Sequence, residues 1–139
     1  MTAPAAALQP SSPLQEAVGH ALGSTGALAA ADPNHAERAV QRDMALAVAT
    51  AIEERSALVV EAGTGVGKTF AYLVPALLSG ARTLLSTATK TLQDQLFVRD
   101  LPRLRNALEL AVSVAVLKGR SSYLCLHRLE LARHDASLP

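Results

Sequence analysis

The sequence predicts an α/β fold, with parallel strands preceded by N-terminal helices, and three observations carry that prediction. Short apolar runs containing β-branched residues occur at 57–60, 82–87 and 112–117. Segments of helical periodicity separate them, the alternation that a parallel sheet with crossover helices requires. A glycine-rich stretch, Ala62-Gly63-Thr64-Gly65-Val66-Gly67-Lys68-Thr69, joins the first run to the next helical segment, as a strand, turn and helix in succession would. Alanine and leucine supply most of the apolar half of the composition and aromatic residues only 3%. The expected core is therefore aliphatic and largely helical.

Residues 1–13 are rich in Ala, Pro and Ser without a period, and read as a disordered tail. Residues 14–35 read as a short helix and a linker: apolar positions 14, 17, 18, 21 and 22 share one helical face, and the Gly-Ser-Thr-Gly run at 23–26 breaks it. Asp32-Pro33 is a helix start signal, with Asp as N-cap and Pro in the first turn. From there Val40, Met44, Val48 and Ile52 recur every four residues, joined by Ala47 and Ala51, which predicts that this face is buried in a helix ending near Arg55. The 57–60 run predicts a buried strand. Residues 70–78 are apolar nearly all round and predict a buried helix closed by Ser79-Gly80, with Pro75 expected to kink or shorten it. A second strand at 82–87, helices at 90–99 and 101–108, a third strand at 112–117 and a helix at 122–134 complete the pattern.

Charge and cysteine content bound the function. The net charge is +1, yet residues 1–79 hold four Lys or Arg against seven Asp or Glu, and residues 80–139 hold nine against five. Any contact with a polyanion is expected in the second half, where a solvated helix surface is the competing explanation. The stretches without charge are interrupted by Pro, Gly, Ser or His, so no membrane span is predicted. The N-terminus lacks the basic residues and continuous apolar core of a secretory signal, and a single cysteine excludes an internal disulfide. Both point to the cytoplasm, without a membrane partner.

The pattern Ala62-x-x-Gly65-x-Gly67-Lys68-Thr69 carries the most specific chemistry. Glycines let backbone N–H groups converge on phosphate oxygens where side chains would block the approach, and the next helix directs its positive end at the same place. Lys68 can reach the β- and γ-phosphates of a nucleoside triphosphate, and the Thr69 hydroxyl can coordinate Mg²⁺. A dinucleotide-binding turn is excluded, because the third glycine it needs would fall on Lys68 or Phe70.

Three blocks, Glu61 through Leu77, Ser86-Thr-Ala-Thr-Lys-Thr-Leu-Gln-Asp-Gln-Leu and Leu117-Lys-Gly-Arg-Ser-Ser-Tyr-Leu-Cys, resemble the XPD-like superfamily 2 DNA helicases, and most of all their bacterial DinG/YoaA branch. Ala62 in place of the usual first glycine fits helicases, and Ser122 stands where the family has Asn. The resemblance covers about two thirds of the chain. It implies that residues 36–139 are the N-terminal part of a RecA-like P-loop NTPase lobe, incomplete here, ending at the start of an iron–sulfur insertion. It further implies ATP and Mg²⁺ as cofactors, 5′-to-3′ movement on single-stranded DNA, and a [4Fe–4S] cluster.

Residue by residue, the resemblance places Ala62, Gly63, Thr64, Gly65, Val66, Gly67, Lys68 and Thr69 around the nucleotide phosphates, and Arg38 and Gln41 beside the adenine. A glutamine amide can donate to and accept from a base edge, although both residues also suit an exposed helix face. Thr87, Thr89, Lys90 and Thr91, with Lys118 and Arg120, fall where the family contacts DNA. Helix capping by Thr89 or Thr91 is compatible with that role. Cys125 corresponds to the first of four cluster ligands, whereas a lone cysteine on an apolar helix is otherwise a small buried hydrophobe.

Hydrolysis needs an acidic strand end to hold Mg²⁺ and position water, and arginines from a facing lobe. No apolar strand of this chain ends in Asp-Glu-x-His. The chain is therefore expected to be an N-terminal fragment of an ATP-dependent DNA helicase, inactive alone. Three strands by themselves would also leave edges unpaired and an apolar face open, which predicts low stability and aggregation. The alternatives are a small P-loop kinase or other NTPase, which would need an acidic strand and a substrate lid, and a non-enzymatic nucleotide- or DNA-binding module. Protein partners are not indicated.

Overall fold

A computed structural model describes residues 12–134; most of the predicted tail lies outside that range. Helix α1 (Pro13–Leu22) opens with Ser12 as N-cap, its hydroxyl accepting from Gln15 N at 3.1 Å, and Pro13 in the first turn. These are the residue types that helix starts favour. A short α2 (Ala27–Ala31), absent from the sequence prediction, follows Gly26.

The start signal at Asp32-Pro33 does not begin the long helix. Asp32 closes α2, and its carboxylate accepts from Asn34 N at 2.9 Å while its carbonyl accepts from His35 N. The aspartate caps a local turn instead, which its short side chain does equally well. Helix α3 (Ala39–Glu54) begins after Arg38 and ends at Arg55 in the left-handed region, φ 53°.

The face that α3 buries is also shifted from the predicted stripe. Gln41, Ala45, Leu46 and Ala49 are buried, Val40 is 58% exposed, and Met44, Val48 and Ile52 are half-buried. The alanines explain the shift: α1 and α4 (Lys68–Leu78) both pack on α3, and small residues allow close approach where larger ones would hold the axes apart. Val18, Ala21 and Leu22 of α1, Leu46 of α3 and Ala71, Leu73 and Val74 of α4 form the centre of this three-helix core. Pro75 lies buried inside α4, which nevertheless runs on to Leu78 and stops at Ser79, with Gly80 at φ 65° as the predicted glycine closure.

The two helices predicted at 90–99 and 101–108 form one continuous helical run. Helix α5 (Lys90–Gln95) passes into a π turn (Leu96–Asp100) and then into α6 (Leu101–Ala107). Pro102 accounts for the wider turn: it has no N–H for the α-helical bond, and its ring crowds the carbonyl four residues earlier. Leu96, Leu101 and Leu104 dock this run onto the core.

None of the three predicted strands is formed among the described residues. Segments 57–60, 82–87 and 112–117 are unpaired backbone without ladder hydrogen bonds. Val59 is 97% exposed and Leu84 94%. Strand character survives in one respect: Val112, Val114, Val116 and Lys118 are half-buried while Ala111, Ser113, Ala115 and Leu117 are exposed, the period of two expected of a strand covered on one side. A strand exists only where its backbone pairs with a neighbour, and no hydrogen bond joins these segments among the described residues. The final predicted helix, 122–134, is shortened to α7 (Leu126–His134), and a 3₁₀ turn (Arg120–Ser122) precedes it.

Candidate nucleotide and nucleic-acid site

The glycine-rich stretch forms a turn leading directly into α4. Gly65 and Gly67 take φ values of 79° and 84°, in the left-handed region that other residues enter only at a cost. A Cβ added at Gly63 or Gly65 would meet open space, so the loop's outer surface is accessible. At Gly67 a Cβ would overlap the Gln41 amide. Helix α4 starts at Lys68, two residues earlier than predicted, and Gly67 is its N-cap with no side-chain cap. The first N–H groups of a helix lack intrahelical acceptors and favour an anion.

Lys68 is exposed, and its ammonium folds back on the loop, donating to the carbonyl oxygens of Ala62 at 2.8 Å and Gly63 at 2.7 Å. Thr69 is half-buried in the first turn of α4. The Tyr72 phenol is pushed above its ordinary value chiefly by burial, with Thr69 acting the other way and the Asp100 carboxylate adding to the rise. Ala62, Val66 and Gly67 are half-buried and Thr64 is exposed.

Arg38 and Gln41 reach the same loop. The Arg38 guanidinium donates to Gly65 O at 3.0 Å, and the Gln41 amide to Gly67 O at 2.9 Å. Arg38 is exposed; Gln41 is 7% exposed. The exposed-face alternative therefore does not describe Gln41.

The residues suggested for DNA lie around the start of α5. Thr87 donates to Thr89 O at 3.2 Å, and Thr89 is the N-cap of α5, its hydroxyl accepting from Leu92 N at 3.2 Å. Lys90 and Thr91 are exposed beside it. Lys118 is brought to the same helix by two contacts that spacing did not foreshadow. Its ammonium pairs with Asp94 at 2.5 Å, and the Gln93 amide donates to Leu117 O at 2.9 Å. The Tyr123 hydroxyl accepts from Lys118 N at 2.9 Å. Arg120 is exposed in the 3₁₀ turn.

Cys125 is exposed rather than buried. Its carbonyl accepts from Leu129 N in the first turn leading into α7. Among the described residues no three His, Cys, Asp or Glu side chains gather in a metal-binding group. A [4Fe–4S] cluster takes four ligands and this chain has one cysteine, so its residues do not compose such a site by themselves.

A glycine loop with two left-handed glycines thus leads into a helix headed by a lysine and a threonine, with a buried glutamine behind it. The DEAD/DEAH box helicase family matches residues 39–135, and the chain belongs to that family. Among its relatives are the ATP-dependent DNA helicase YoaA of Haemophilus influenzae, 59% identical over 93 residues, covering 67% of this chain and 14% of the relative. The ATP-dependent helicase DinG of Mycobacterium tuberculosis H37Rv is 44% identical over 138 residues, covering 91% and 21%. The protein named 3′-5′ exonuclease DinG in Bacillus subtilis is 36% identical over 117 residues, covering 81% and 13%. The chain thus spans about a fifth or less of each relative's length. No solved structure matches it. The family implies a RecA-like phosphate-loop fold, and no described helix is long and apolar enough to cross a membrane.

Proposed function

We propose that this chain supplies the ATP-binding loop and part of the DNA path of an ATP-dependent helicase that moves 5′ to 3′ on single-stranded DNA in the cytoplasm. The observation that supports the reading best is the Lys68 ammonium, exposed at the head of α4 and held, among the described residues, by two backbone carbonyls. Phosphate oxygens are stronger acceptors than carbonyls, so the ammonium exchanges one set for the other at little conformational cost. Backbone N–H groups of residues 65–69 add neutral donors, and the Thr69 hydroxyl is the group suited to Mg²⁺. ATP bound there supplies the phosphoryl transfer that drives movement.

Thr89, Lys90 and Thr91 are exposed at the start of α5 with Thr87 half-buried beside them, hydroxyls and one charge suited to a phosphate backbone. Arg120 and Lys118 extend that set. Cys125, exposed just before α7, is proposed as the first ligand of a [4Fe–4S] cluster, with three further cysteines supplied by sequence outside this chain. The chain alone carries no acidic strand end and is not expected to turn ATP over.

The test uses the protein that the complete coding sequence yields. ATP hydrolysis stimulated by single-stranded DNA is expected, abolished by Lys68→Ala, with iron lost on Cys125→Ser. Hydrolysis unaffected by DNA and by Lys68→Ala would overturn the reading.

A further inference from the structure

One peptide group ties the end of the 112–117 segment to helix α5. The Gln93 amide donates to Leu117 O at 2.9 Å, and Lys118 N–H donates to the Tyr123 hydroxyl at 2.9 Å. That carbonyl and that N–H belong to the same peptide, whose planar trans geometry points them in opposite directions. Gln93 and Tyr123 therefore grip the peptide from its two sides, and rotating it would break both bonds. The chain then closes on itself: Ser122 N donates to Gly119 O at 2.8 Å and Tyr123 N to Arg120 O at 3.2 Å, which returns the tyrosine to Lys118. Arg120, the first residue of the 3₁₀ turn inside this loop, is exposed.

We propose that Gln93 and Tyr123 are positioning residues for nucleic-acid binding, holding residues 117–123 against α5 so that the Arg120 guanidinium meets the same phosphate backbone as Lys90. This deepens the DNA-binding reading and rests on it. Three observations carry it. Leu117 is 85% exposed and Tyr123 52%, so apolar burial contributes little to the shape of this loop and its hydrogen bonds set it. Gln93 follows Thr89 by four residues, which puts the gripped peptide about one helical turn from Thr89. Charge supplies the third: the Lys118 ammonium is taken up by Asp94, whereas Lys90 and Arg120 form no ion pair among the described residues and stay available to phosphate oxygens.

Positioning and purely structural roles separate experimentally. Tyr123→Phe removes only the hydroxyl, and Gln93→Met keeps the length of the side chain and removes its donor. Each is made alone and together with Arg120→Gln in the protein as its complete coding sequence yields it. Binding of a fluorescein-labelled oligothymidylate is measured over a range of salt concentrations, alongside the thermal midpoint. Tyr123→Phe and Gln93→Met are each expected to weaken binding roughly 3- to 10-fold and to lower the slope of log K against log salt by up to about 0.7, the share of one phosphate. Arg120→Gln does the same, and neither variant weakens binding further in its presence, because residues acting through one contact are not additive. Losses that add to that of Arg120→Gln overturn the proposal. Unchanged affinity overturns it too, and a lowered thermal midpoint alone marks a purely structural bond. Arg120→Gln without effect on affinity or slope sinks the proposal while the DNA-binding reading stands on the parent's own binding; a parent that does not bind the oligonucleotide removes that reading itself, and the proposal with it.

Discussion

The Lys68 ammonium donates to Gly63 O at 2.7 Å, so the positive charge that a triphosphate requires rests against the backbone of the loop that would receive it. Lys68→Ala removes that charge while leaving the helix start intact, since alanine is a good helix former. Charge-assisted hydrogen bonds contribute ~1.5–3 kcal/mol. MgATP affinity is expected to fall at least about tenfold, with the far-ultraviolet circular dichroism unchanged.

Lys118 and Asp94 form an ion pair at 2.5 Å, which holds the lysine back from a nucleic acid. Asp94→Asn releases it. Single-stranded DNA affinity, measured by fluorescence anisotropy with a labelled oligonucleotide, is expected to rise. The slope of log K against log salt should steepen by about 0.7 for one added phosphate contact. An unchanged slope would show that Lys118 lies away from the strand.

Leu46 and Leu73 are each 1% exposed, at the centre of the α1–α3–α4 core. Truncating either to alanine leaves a cavity and costs ~2–5 kcal/mol. Chemical denaturation should show that loss for Leu46→Ala and Leu73→Ala, and little change for Leu84→Ala, because Leu84 is 94% exposed.

Burial pushes the Tyr72 phenol above its ordinary value of 10.0. The neutral form is therefore the one the fold favours, so this contribution to stability is complete below pH 10.0 and is lost as pH rises through the higher folded value. Denaturation midpoints followed into the alkaline range should fall, and Tyr72→Phe should remove that part of the fall.

The legible and illegible parts of the sequence divide along a physical line. The glycine loop, the Gly80 closure and Thr89 as N-cap follow from local backbone requirements, and the sequence states those directly. Asp32 was misread because an aspartate caps a turn as readily as a helix. The buried face of α3 was misplaced because burial is set by α1 and α4, whose approach favours Ala45 and Ala49 over larger Val40 and Met44. The strand character of 112–117 persists as an exposure period, but pairing depends on hydrogen bonds to a second strand, and none is formed among the described residues. The Gln41 and Lys118 contacts link residues more than 20 positions apart, and no local pattern announces them.

The most direct measurement is calorimetric titration of MgATP into the protein and into its Lys68→Ala and Cys125→Ser variants. Saturable binding in the parent and in Cys125→Ser, lost or at least about tenfold weaker in Lys68→Ala, is the expected result. Binding of equal affinity in all three would contradict the assignment of this loop to the triphosphate.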